Sequence, residues 1–198
     1  MMAETGAHLL FAPAVAAMYP PGFATTVSVA RLTAGLCGPH RPGHFEGVAT
    51  VVTKLLLQAL PDAAVFGEKD YQQLLVIRRL AADLDVPVRI VGAPTVREAD
   101  GLALSSRNAR LSPAERGTAA HLNRVLGSVA ERVAGGEASD AACAWAVNEL
   151  SRVGFARVDY VEVRDGATLE AVERWHGRQP AKAITRNAPH TRRQRSMC

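Results

Sequence analysis

The densest cluster of chemistry-bearing residues is Gly67-Glu68-Lys69-Asp70-Tyr71-Gln72-Gln73. A glycine, a cation and two carboxylates stand between the apolar run Ala63-Ala64-Val65-Phe66 and an apolar-periodic segment that begins near Tyr71. At a strand-to-helix junction, exposed backbone N–H groups and the helix dipole favour an anion. Lys69 adds a point charge for a phosphate, and Gln73, on the first helical turn, can donate to a carboxylate or a hydroxyl. The same residues also read as a solvated loop capped by Asp70. A second set is Leu104-Ser105-Ser106-Arg107-Asn108. Its two hydroxyls and guanidinium suit triphosphate oxygens; the alternative is a polar turn. A third is Arg41-Pro42-Gly43-His44-Phe45, which points positive groups at a helix N-terminus or is a plain loop with an exposed histidine.

Three weaker patterns complete the set. Cys37, His40 and His44 have C-x2-H-x3-H spacing, but with no fourth ligand or second pair, zinc is not expected. Glu98 and Asp100 could act as acid/base carboxylates, although Arg97 beside them favours a solvated charge cluster. Cys143, among alanines and Trp145, reads as a small core residue. No G-x-S-x-G, H-E-x-x-H or P-loop occurs.

The elements that must position these groups follow from periodicity. Thr25-Thr26-Val27-Ser28-Val29 is β-branched and predicts a short strand. Val48, Val51, Val52, Leu55, Leu56 and Ala59 make one helical stripe, ended by Pro61-Asp62. Ala63–Phe66 predicts a buried parallel strand, Tyr71 onward a second helix, and Pro87-Val88-Arg89-Ile90-Val91 another strand. This rhythm predicts βαβ units and a parallel sheet, in which ligands bind at the carboxyl ends of the strands. Beyond residue 95 the pattern changes. Ser112-Pro113-Ala114-Glu115 is a capping box that starts a helix to about Val133, closed by Gly135-Gly136. A helix over about 139–152 and a strand over 157–163 follow. The result is a small second α+β unit, with a hinge near 93–96.

Composition sets the frame. The chain has 198 residues, 48% of them apolar and 21% charged, with a net charge of +4. That is globular composition and excludes collagen-like, coiled-coil and wholly disordered chains. No apolar run reaches the roughly 18–20 residues of a membrane span, and no secretory signal is visible at Met1–Thr5. Three widely spaced cysteines fit a reducing, cytoplasmic setting. Residues 173–198 carry seven basic side chains and one acidic, so the other 172 residues hold 16 basic and 18 acidic. The positive charge belongs to the tail. Only 7 of its 26 residues are apolar, four of them Ala or Cys, and it is expected to be disordered.

In combination these segments resemble the pantoate–β-alanine ligase (pantothenate synthetase) family. The matching runs are Met18-Tyr19-Pro20, Leu36-Cys37-Gly38, Arg41–Phe45, Gly47–Lys54, Pro61-Asp62, Phe66–Gln73, Ile77-Arg78-Arg79, Pro94–Glu98, Asp100–Asn108 and Asp159–Val163, covering about residues 9–172. The resemblance implies an α/β fold: a Rossmann-like nucleotidyltransferase-type parallel sheet, incomplete here, followed by a small α+β lid domain. It assigns residues 1–95 to a partial ATP- and pantoate-binding domain, 96–172 to the lid and 173–198 to a divergent basic tail. The implied reaction has two steps. Pantoate attacks the α-phosphate of ATP, with Mg²⁺, to give pantoyl adenylate; the amine of β-alanine then displaces AMP. Gly67, Glu68, Lys69, Asp70, Val96, Leu104, Ser105, Ser106 and Arg107 would bind ATP, and Gln73 would hold pantoate. Lys69, His44, Ser105, Ser106 and Arg107 would supply the positioning and charge stabilisation that adenylyl transfer needs. A cytoplasmic homodimer is also implied.

Two departures carry expectations of their own. The family's first nucleotide-binding strand, its G-x-x-H-x-G-H loop and its V-N-P-x-Q-F segment have no counterpart in this sequence. The expectation is a catalytically impaired fragment, with no or trace ligase activity alone and poor solubility. The change of composition after about Val172 fits a frameshifted reading or an aberrant gene end. A third reading, nucleic-acid binding through the basic tail, lacks aromatic stacking partners apart from Trp175.

Overall fold

The computed structural model describes residues 3–177 and 181–189. After a 3₁₀ turn at Ala3–Thr5 come the short helices α1 (Val15–Met18) and α2 (Cys37–His40) and the long helix α3 (His44–Ala59). The chain continues through β1 (Ala63–Gly67), a 3₁₀ turn at Glu68–Asp70, α4 (Tyr71–Asp83) and β2 (Arg89–Ala93). A 3₁₀ segment at Ser106–Arg110 then leads to α5 (Pro113–Ala134), α6 (Ser139–Arg152), β3 (Phe155–Asp165) and β4 (Ala181–Pro189).

β1 and β2 pair in parallel from Ala63 opposite Arg89 to Gly67 opposite Ala93, the arrangement that the βαβ rhythm predicts. Ala49 and Leu56 of α3, Ile77 and Leu80 of α4, and Val86 and Val88 pack into one core, with Ala64, Phe66 and Ile90 of the strands against it. The α3 face turned inward carries Phe45, Ala49, Thr50, Thr53 and Leu56 rather than the valine stripe, which is half-buried. Thr50 faces inward because its hydroxyl accepts the Val27 N–H at 2.9 Å.

That contact bears on a correction. Thr25–Val29 is not a strand: the β-branched run lies along α3, with Val27 and Val29 against the core, and no ladder partner among the described residues. β propensity without a neighbouring strand leaves the N–H groups to other acceptors, here a threonine hydroxyl.

The second core joins Val125, Val129 and Val133 of α5, Ala142, Ala146 and Leu150 of α6, and Phe155, Val161 and Val163 of β3. The capping box at α5 is complete: Glu115 N–H donates to the Ser112 hydroxyl at 3.3 Å, and Ser112 N–H donates to the Glu115 carboxylate at 2.8 Å. A third cluster, Leu36, Leu75, Tyr160 and Leu169, with Ile184 against it, lies between the two cores.

The tail expected to be disordered is ordered over 181–189. β4 pairs antiparallel with β3, from Ala181 opposite Asp165 to Pro189 opposite Phe155. Alternation sends Ala181 and Ala183 to the α5–α6 core and Ile184 to the bridging cluster. Trp175 also packs on the α5–α6 core, and Glu173 O accepts the Ser139 N–H at 2.9 Å. Counting large apolar residues misses a strand held by a nine-residue ladder and by alanines that let it sit close to a helix layer. Residues 178–180 and 190–198, to which the expectation of disorder also applied, lie outside the described residues.

Candidate active site

β1 ends at Gly67, opposite Ala93 at the end of β2, so both carboxyl termini open on one edge of the sheet. The turn Glu68–Asp70 sits on that edge and runs directly into α4. Gly67 is exposed, and a Cβ there would meet no atom within 4 Å, so this face is open to a ligand. Asp70 occupies the N-cap position of α4, but its side chain makes no capping hydrogen bond; its carboxylate instead pairs with Lys69 at 3.4 Å. Both side chains remain substantially exposed. Glu68 turns back toward β2, where a Cβ on Gly92 would lie 3.4 Å from its Oε1 and 3.0 Å from both Leu74 Cδ2 and an Arg78 amino nitrogen.

Two adjacent glutamines on α4 have different environments. Gln72 is buried, donates from Nε2 to Leu32 O (2.8 Å) and Gly35 O (2.9 Å), and accepts the Cys37 N–H on Oε1 (3.0 Å). It anchors the loop ahead of α2, a role the sequence reading missed; a polar residue inside an apolar helical face was the available signal. Gln73, the predicted pantoate ligand, is half-buried on the first turn, beside the 3₁₀ segment.

Beyond Ala93 the chain forms a tight hairpin. Glu98 N–H donates to Leu102 O (2.8 Å), Leu104 N–H to Val96 O (2.8 Å), and Arg97 bridges Ala103 antiparallel. Val96 and Leu104 are thereby brought together, and both are more than half exposed. The hairpin delivers Ser105, whose hydroxyl accepts the Arg107 N–H at 3.2 Å, with Ser106 and Arg107 exposed behind it. Glu98 and Asp100 are bound to side chains around them rather than freely solvated. Arg116 of α5 donates to Glu98 Oε2 (2.7 Å), Glu98 Oε1 (3.3 Å) and Asp100 (2.8 Å). Asn108 donates to Glu98 Oε1 at 2.7 Å. The Asn108 hydrogen bond and then the Arg116 guanidinium hold the Glu98 carboxyl below its ordinary range.

His44 enters from a separate element. Gly43, at φ +75°, makes the left-handed turn that starts α3, and His44 is half-buried in the first turn with its ring against Phe45. Cys37 and His40 both engage Tyr160 of β3, the thiol 3.0 Å from the phenol oxygen and the imidazole tilted on the ring. From β4, Lys182 lies over the Tyr71 ring at 4.0 Å and reaches Glu68 at 3.4 Å.

A cavity of about 1060 Å³ lies elsewhere, between residues 27–36, the second half of α4 and residues 164–171. Of the predicted site residues none lines it. Of its charged lining residues, Arg79 pairs with Asp83 and Arg164 with Glu162, while Arg31 and Glu170 also face it. The strand-end edge, with exposed Lys69 and the exposed Ser106 and Arg107 on the segment that leaves β2, is the better candidate for chemistry.

Comparison with known proteins shows the family. The family model described as Pantoate-beta-alanine ligase matches residues 1–193, past residue 172, where the resemblance was expected to stop. The chain is 59% identical over 168 residues to the pantothenate synthetase of Rhodospirillum rubrum, covering 85% of this chain and 60% of that one. It is 60% identical over 172 residues to that of Paramagnetospirillum magneticum, covering 87% and 61%. The chain thus spans about three fifths of the length of these curated relatives. The crystal structure of the Thermus thermophilus pantoate–β-alanine ligase (pantothenate synthetase) superposes with a TM-score of 0.84 at 48% identity, over 93% of this chain and 67% of that one. A Francisella tularensis pantoate–β-alanine ligase, complexed with beta-gamma ATP and beta-alanine, gives 0.70 at 30% identity, over 81% and 58%.

Proposed function

The chain belongs to the pantoate–β-alanine ligase family, and from that premise we propose that it acts in the ATP-dependent condensation of pantoate with β-alanine. The observation that carries the reading is that β1 and β2 end side by side on one sheet edge, each followed by one of the two polar segments. The Gly67–Asp70 turn ends β1, and the hairpin after β2 presents Ser105, Ser106 and Arg107. The ATP and β-alanine bound by the Francisella relative support the substrate assignment.

In this reading, Gly67 lets the nucleotide approach the strand end and the α4 N-terminus faces its phosphates. Lys69 and Arg107 hold phosphate charge, and the Ser105 and Ser106 hydroxyls donate to phosphate oxygens. Val96 and Leu104 offer apolar contact to the base. Gln73 orients pantoate so that its carboxylate faces the α-phosphate, and His44 donates toward the same pocket. Pantoate oxygen bonds to phosphorus as pyrophosphate leaves; the β-alanine nitrogen then bonds to the acyl carbon as AMP leaves, the amine losing a proton. Mg²⁺ is held with few protein ligands when phosphates supply the rest. Glu68 and Asp70, two carboxylates on one three-residue turn, could reach such an ion on releasing Lys182 and Lys69, and the ion would neutralise phosphate charge.

Residues 1–95 form the nucleotide- and pantoate-binding unit in this proposal and residue 96 through β4 the covering unit, since β4 pairs with β3 beyond the expected bound of 172, in a cytoplasmic homodimer. The test measures ATP binding calorimetrically and AMP release with ATP, pantoate and β-alanine. ATP binding that weakens at least tenfold in Lys69→Ala and Arg107→Ala supports the site. AMP release dependent on all three substrates supports the full reaction, whereas binding without release identifies the impaired fragment. No measurable ATP binding refutes the reading.

A further inference from the structure

We propose that Glu98 is a positioning residue for the phosphate-binding loop: its one carboxylate, shared between Asn108 and Arg116, fixes the base from which Ser106 and Arg107 reach the nucleotide. The inference rests on the proposed nucleotide site.

The loop Leu104–Arg107 leaves the hairpin at Leu104 and returns at Asn108. At the entry, Leu104 N–H is tied to Val96 O and Glu98 N–H to Leu102 O. At the exit, the Asn108 side chain donates to Glu98 Oε1 (2.7 Å) and Ala103 O (3.0 Å). Glu98 therefore closes the loop across ten residues. Arg116 then joins this closed base to α5, forking onto both Glu98 oxygens and bonding Asp100. The three side chains are only about one third exposed, and charge-assisted, forked bonds of this kind hold geometry well. Between the two pins, the Ser105 hydroxyl accepts the Arg107 N–H, the Asn108 N–H donates to Ser105 O, and Ser106–Arg110 winds into the 3₁₀ segment that Ser105 caps. A base pinned at both ends, with Arg107 in the 3₁₀ segment built on it, confines where the Arg107 guanidinium can go. The Glu98 carboxylate is engaged by Asn108 and Arg116, so its effect on a bound phosphate must pass through the loop.

A misplacement of about 1 Å at a charge-stabilising group can cost up to a hundredfold. Glu98→Gln, which keeps an acceptor for Asn108 but turns an amide toward Arg116, is expected to weaken ATP binding by the 198-residue chain about tenfold. Amide exchange over 104–110 is expected to rise with the thermal midpoint little changed. The decisive measurement is a double-mutant cycle. If Glu98 acts through the loop, Glu98→Gln costs clearly less ATP affinity in an Arg107→Ala background than in the parent, only the Ser106 share remaining; additive losses would overturn the proposal. Asn108→Ala, which leaves the Glu98–Arg116 pair intact, gives the same cycle should Glu98→Gln fold poorly. Wild-type affinity in Glu98→Gln, with Arg107→Ala weakened, also overturns it. Wild-type affinity in Arg107→Ala instead removes the phosphate-loop reading and this inference with it.

Discussion

Gln72→Met tests the division of labour between the two neighbouring glutamines of α4. Methionine keeps the length and helix propensity of the side chain and removes every polar atom. The substitution breaks three neutral hydrogen bonds, to Leu32 O, Gly35 O and Cys37 N–H. At about 1 kcal/mol each, the loss is about 3 kcal/mol. Leu32 and Gly35 border the open cavity, so water can reach their carbonyls, and a buried thioether recovers roughly 1 kcal/mol. The net expectation is a loss of about 2 kcal/mol, or a midpoint lower by roughly 4–8 °C for a chain of this size. Thermal and urea melts followed by circular dichroism measure it, and amide exchange should rise first over residues 32–38. Gln73→Ala should change stability by less than about 0.5 kcal/mol while weakening pantoate binding. A Gln72→Met protein as stable as the parent would show that the loop ahead of α2 is not held by this amide.

Further outcomes follow from the titratable groups and caps. Glu98, held low by Asn108 and Arg116, and Asp165, held low by the Thr168 and Ala167 N–H groups, stabilise their loops while ionised. Because folding depresses both, that contribution is present above the ordinary carboxylate range, near pH 4, and fades as pH falls through the lowered values. Amide exchange over 96–110 and 165–170 should therefore accelerate below about pH 4; unchanged protection down to about pH 3 would contradict the assignment. Ser112→Ala should cost about 1 kcal/mol in urea melts by opening the α5 capping box, and no loss would show that Glu115 suffices alone. Burial pushes the Cys143 thiol up, so native protein near neutral pH should alkylate slowly there and rapidly in urea; fast native labelling would refute that.

Much of the scaffold is legible from local chemistry. The capping box at Ser112, the helix over 139–152 and the parallel pair flanking α4 each follow from short-range signals, and each appears within a few residues of its predicted place. The failures share one cause: whether a segment finds a partner is a tertiary matter. Thr25–Val29 has the residues of a strand and no neighbour among the described residues, whereas Ala181–Pro189 has few such residues and a long one, β3. At the candidate site, residue types disclosed the cations and hydroxyls. They did not disclose that Glu98 and Asp100 share one arginine sixteen or more residues on. Nor does spacing separate Gln72 from Gln73, since one helical step of about 100° decides which faces the loop.

The position of β4 also makes the strand-end turn answerable to the second unit. Several contacts cross between them near the start of α4. Lys182 reaches Glu68 and covers Tyr71, Tyr71 donates to Gly166 O at 2.7 Å, and the Cys37 thiol lies 3.0 Å from the Tyr160 phenol oxygen. On the first-unit side their partners are Glu68, Tyr71 and Cys37, and Cys37 is itself tied to Gln72. All four residues lie in the turn, the first helical turn of α4 or the loop bonded to it. A shift of the β3–β4 sheet would therefore be felt first at Glu68–Asp70, where the phosphates are proposed to sit. Exposed pairs such as Lys182–Glu68 contribute little to stability. Their consequence is orientational: the cation that neutralises Glu68 is carried by the unit proposed to cover the nucleotide.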